Sequence, residues 1–140
     1  MAMYQVELFA HVAYGSELTY EDVLAREESL KGGATSILSA RGAEFIHFEA
    51  LGDALRFQCV FAAGGERLFH GLCEAFAPLM DDGLDGRILC VDKDLAHVHF
   101  YALHGGRWQE ATLALPAAGF LDMLAVPVLV AQLERKKNKQ

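Results

Sequence analysis

The sequence is short of several things, and each shortage closes off a class of explanation. In 140 residues there are three prolines and three cysteines, and only 22% of the side chains are charged. Cys59, Cys73 and Cys90 are odd in number, lack any C-x-x-C spacing and stand in apolar stretches, so they suggest neither a disulfide framework nor a thiolate metal cage. Buried free thiols fit a reducing compartment, and the opening Met-Ala-Met-Tyr-Gln-Val-Glu has neither the basic nor the apolar region of a secretory signal, so a cytoplasmic address is expected. The motifs of common catalysts are missing as well. There is no G-x-S-x-G, no H-E-x-x-H and no P-loop ending in Lys-Ser or Lys-Thr, which leaves hydrolase and nucleotide chemistry without a sequence signature.

Basic charge is scarce and badly spread. Lys and Arg number 12 against 19 Asp and Glu, for a net charge of −7, and four of the basic residues (Arg135, Lys136, Lys137 and Lys139) fall in the last six positions. Residues 1 to 134 therefore hold 8 basic against 19 acidic side chains, a net of −11. Such a body repels polyanions and anionic lipid, so no nucleic acid and no membrane are expected as partners, and a basic protein or a cationic ligand is favoured. The 53% hydrophobic content excludes intrinsic disorder.

That content is uneven too. Between Ala111 and Leu133, 17 of 23 residues are hydrophobic and Asp122 is the only charge. The length suits a membrane span, but Pro116 and Pro127 interrupt it, and Asp122 at mid-bilayer would cost about 2.5–3.5 kcal/mol. A buried closing helix over 120–133 is expected instead, covered in part by a second copy of the chain, with Phe120, Leu124 and Val128 as dimerisation residues. The domain organisation expected is one α+β domain over 1–134 and a basic, disordered tail over 135–140.

Periodicity supplies the elements. Tyr4, Val6, Leu8, Ala10, Val12 and Tyr14 alternate with polar neighbours as a half-buried strand does, and Thr19 three residues before Asp22 marks a capping box for a helix over 19–31. Gly32-Gly33 is expected to stop that helix, with a second short one over 34–41. Residues 44–51 and 54–62 flank Gly52-Asp53 as a β-hairpin, and Leu68, Phe69, Leu72, Cys73, Phe76, Leu79 and Met80 recur at helical spacing. Strands over 87–91, 95–103 and 107–113 complete a meander, with turns at Lys93-Asp94 and Gly105-Gly106. The order β-α-β-β-α-β followed by a meander and an apolar C-terminal helix points to α+β class, ferredoxin-like in its first six elements. That architecture hosts many activities and names none.

Two groups of residues stand out as candidate sites. Alternation assigns Glu7, His11, His47, Glu49, Arg56 and Gln58 to the sheet face away from the helices, and His97 and His99 are expected to join them. An H-x-H pair on one side of a strand, completed by His47, Glu49 or His11, has the donor types of a zinc or other divalent-metal site, and the same histidines suit proton transfer near neutrality. Gly64 and Gly65 before a helix, with Arg67, form a weaker candidate for phosphate. No other cofactor is indicated. The function expected is a dimeric ligand-binding or regulatory interaction module without catalytic activity, and its rival is a metal- or histidine-dependent enzyme using the histidine-bearing face.

Overall fold

The computed structural model describes residues 3–81 and 83–114. The closing helix expected after Pro116, with Phe120, Leu124 and Val128, and the 135–140 tail lie outside the described residues.

Six strands and two helices alternate as β1 (Val6–Tyr14), α1 (Tyr20–Ser39), β2 (Glu44–Ala50), β3 (Ala54–Phe61), α2 (Glu66–Phe76), β4 (Leu84–Asp92), β5 (His97–His104) and β6 (Arg107–Ala114), with one turn of 3-10 helix, Ala77–Leu79, after α2. The strands form a single sheet in the order β2-β3-β1-β4-β5-β6, and every neighbouring pair is antiparallel. The sheet is thus longer than a four-stranded one, because the β4-β5-β6 meander continues it past β4. Among the described residues no helix is long and apolar enough to cross a membrane.

Period-two patterning places the core. Val6, Leu8, Ala10 and Val12 of β1, Leu55, Phe57, Cys59 and Phe61 of β3, and Leu84, Ile88 and Cys90 of β4 are all buried on one side of the sheet. Both helices pack on that same side: Leu30, Ala34 and Leu38 of α1 and Phe69, Leu72, Cys73 and Phe76 of α2 join one continuous cluster with them. Burying a side chain of this size contributes about 1.5–3 kcal/mol, so a one-residue slip of any central strand would forfeit several such terms together.

Three expectations need correcting. Gly32-Gly33 does not stop the first helix: α1 is one helix of 20 residues, opened by the expected capping box between Thr19 and Asp22. Two glycines cost about 1 kcal/mol each in a helix interior, but Leu30, Ala34 and Leu38 fall at successive i, i+4 positions and are buried, so tertiary packing holds the helix through the weak point. Gly33 also lets the helix come close to its neighbour, since a Cβ there would stand 3.1 Å from Leu79 Cδ1.

The second correction concerns Leu95, which lies in the β4–β5 turn at φ 59° and not in a strand. Its N–H donates to the Asp92 carbonyl at 2.8 Å, while Asp94 Oδ1 accepts from Ala96 N at 2.9 Å. The third is functional. Cys90 pairs with His99 and Ile88 with Tyr101, and directly paired residues share a face, so His97 and His99 lie on the helix side of β5 and not on the face with His11 and His47.

Candidate functional site

The face away from the helices is defined by register. One row runs Glu49, Arg56, His11, Arg87, Ala102 and Gln109, and the next runs His47, Gln58, Phe9, Leu89, Phe100 and Ala111. The third holds Val60, Glu7, Val91 and Val98. The first row is polar, and its charges are partly paired: Arg56 donates to Glu49 Oε2 at 2.7 Å, and His47 Nε2 lies 3.5 Å from Glu49 Oε1. The guanidinium of Arg56 holds the Glu49 carboxyl below its usual range, with a smaller effect from His47. The other two rows are largely apolar, and Phe9 and Phe100 remain 37% and 46% exposed.

Here the structure brings together Glu7, His11, His47, Glu49 and Arg56, as alternation indicates, but separates them from His97 and His99. The latter pair faces α2: the His99 ring sits 4.9 Å from Phe69 and its Nε2 3.9 Å from Asp92 Oδ2, while the His97 and His99 rings are 6.3 Å apart. A single metal site built from His97, His99, His47 and Glu49 would need donors on both sides of one sheet. Gly64, Gly65 and Arg67 do converge, lining a shallow cavity of about 450 Å³ with Arg41, Leu68 and Gly71. Arg41 spends its guanidinium on the carbonyls of Ile37 and Gly71, at 3.0 and 3.4 Å, and Glu66 already places a negative charge in the first turn of α2.

A tighter group of polar side chains lies elsewhere, between α2 and the outer strands. Glu66, His70 and Glu74 fall at i, i+4 and i+8, so they form a stripe along one side of α2. Across from them, β6 presents Trp108 and Glu110, two residues apart and therefore on one face of their strand. His70 Nε2 meets Glu110 Oε2 at 2.6 Å and Glu66 Oε1 at 3.8 Å, and Trp108 Nε1 donates to Glu74 Oε1 at 3.0 Å. Because an ionised carboxylate only accepts, the proton in the His70–Glu110 bond belongs to Nε2. That bond, aided by the nearby Tyr101 hydroxyl, lowers the Glu110 pKa against the opposing effect of burial.

Ring packing fixes the imidazole. Trp108 lies 5.0 Å from His70 between ring centroids, and Tyr101 meets it edge-on at 6.2 Å. Tyr101 is 2% exposed and its hydroxyl has no hydrogen-bond partner of normal geometry among the described residues, although it stands beside the Glu110 carboxylate. Burial first, and Glu110 second, raise the Tyr101 pKa. Glu66, His70 and Glu110 each offer one donor atom, and the three atoms all lie within 4.8 Å of one another.

Sequence reasoning missed this group. The E-x-x-x-H-x-x-x-E stripe was the available signal, but Glu110 is 40 residues from His70 and nothing short of the fold pairs them. A comparison with protein-family models and with curated proteins finds no match for this chain, so its chemistry rests on geometry.

Proposed function

We propose that the chain is an interaction module that pairs with a second copy of itself through the open face of the sheet. The observation that carries this reading is the apolar stretch of Phe9, Leu89, Val91, Val98 and Phe100 on the face that neither α1 nor α2 covers. Two aromatic rings left in water beside partly exposed aliphatic side chains gain by being covered, at roughly 25 cal/mol per Å² of apolar surface removed. A two-fold axis running across the strands would also bring the Arg56–Arg87 end of one copy over the Glu7 end of the other, so the charges of the face favour self-pairing.

The core supports a ferredoxin-like reading of the first six elements, since β1 lies between β3 and β4, antiparallel to both, with the two helices on one side. A regulatory or ligand-binding role suits a dimer whose polar row, with Arg56, His11 and Arg87, rims the pairing surface.

Light scattering on the full chain tests the proposal. A dimer is expected at micromolar concentration, dissociating when Phe9 and Phe100 are both replaced by Glu. A monomeric parent protein refutes the reading. So does a dimer that survives the double replacement and is lost on deletion from Phe120 onward, because the contact would then belong to the C-terminal segment.

A further inference from the structure

We propose that Glu66, His70 and Glu110 form a binding site for a divalent transition ion of the zinc class, on the side of the sheet opposite the pairing face. Imidazole and carboxylate are the ligand types such ions take, at about 2.0–2.2 Å from the metal, so donors sharing one ion stand roughly 3–3.5 Å apart. The three donor atoms already lie within 4.8 Å of one another, with His70 and Glu110 closer than a shared ion requires and Glu66 somewhat farther. Glu66 closes the gap most easily, because its side chain is 73% exposed and free to change rotamer.

The supports differ in kind. Glu66 and His70 are held by one helix at i, i+4, which directs both side chains to the same side, while Glu110 comes from β6, so binding ties α2 to the edge of the sheet. The nitrogen donor favours a transition ion over calcium or magnesium, which take oxygen ligands. The Tyr101 hydroxyl is a second, independent observation: it is buried without a hydrogen bond of normal geometry among the described residues, and it stands beside the Glu110 carboxylate, of which His70 engages only Oε2. When the ion takes up His70 Nε2, that nitrogen gives up its proton and the neutral ring keeps its one N–H on Nδ1, so the His70–Glu110 hydrogen bond is replaced by a bond from each residue to the ion. Glu74, held by Trp108, stays outside the donor set.

The chain's single tryptophan is the reporter, since Trp108 packs on the His70 ring. Cobalt(II) titrated into the full-length protein at neutral pH is expected to quench Trp108 fluorescence saturably, with one ion retained per chain on dialysis and with zinc competing for the site. His70→Gln and Glu66→Gln are each expected to weaken binding by about tenfold or more, the scale on which even outer partners of a metal matter. Glu49→Gln, on the opposite face, is expected to bind as the parent does. Quenching that never saturates overturns the proposal, as does unchanged affinity in a folded His70→Gln protein. Glu66→Gln removes only an exposed carboxylate and keeps the test open if His70→Gln does not fold, and equal affinity in it rejects the three-ligand site.

Discussion

Cys59, Cys73 and Cys90 are 3%, 0% and 1% exposed, and burial pushes the first two thiols up to about 12 and raises the third as well. A thiolate is the reactive form, so all three are inert in the folded protein. A chromogenic disulfide reagent is therefore expected to label them only as fast as the chain opens, with all three reacting at once in denaturant. A fast stoichiometric phase in native buffer would contradict that. Cysteine burial was legible from the apolar neighbours of each thiol. The polar residues between α2 and β6 were not, because a histidine and two glutamates become a group only when a helix and a distant strand are laid side by side. For His97 and His99 the alternation was legible, but alternation does not say which of two faces a strand presents. The pairing of Cys90 with His99 decides that.

At the scale of elements, α1 offers the sharpest test of the difference between propensity and packing. A Cβ at Gly32 meets nothing within 4 Å, and neither Gly32 nor Gly33 has positive φ. Gly32→Ala is expected to stabilise the protein by about 0.8–1 kcal/mol, the helix-interior difference between the two residues, as measured by urea unfolding. Gly33→Ala should gain less, because its Cβ presses on Leu79 at 3.1 Å. A loss of stability in Gly32→Ala would mean that the helix breaks where the glycines alone suggest. The other elements were readable where two local signals agreed. Thr19 and Asp22 cap α1 reciprocally, the Gly52-Asp53 turn joins β2 to β3, and Pro78 falls in the 3-10 turn that ends the α2 segment. Leu95 was misplaced because the turn expected at Lys93-Asp94 runs on through Leu95 and Ala96, held by the Asp92 carbonyl and the Asp94 carboxylate.

For the whole molecule, the buried thiols and Tyr14 make alkaline pH the direction of weakness. Tyr14 is raised by burial and by its 2.9 Å bond to Glu27, and the three thiols by burial. Groups with raised folded pKa values contribute fully below their ordinary values of 9.0 for Cys and 10.0 for Tyr, and the contribution is lost as pH rises from there toward the folded values. Each thiol proton held by the folded state alone steepens the loss by about 1.4 kcal/mol per pH unit. The urea midpoint is thus expected to fall markedly between about pH 8 and pH 10.5, more than surface charge alone would produce. A flat profile across that interval would show that the thiols and Tyr14 titrate as in the unfolded chain. The proposed pairing face and the proposed metal site between α2 and β6 lie on opposite sides of the sheet, so a replacement at one should leave the other intact.

Sequence by itself determined the class, the capping box, the hairpin, the meander and the apolar side of β1 and β3, because these follow from spacing within a few residues. Only the tertiary structure decided that α1 continues through two glycines, that the histidines divide between two faces, and that His70 meets Glu110. Each of those depends on which strand lies beside which, and strand order is set by burial summed over the whole core, a quantity that no local window contains.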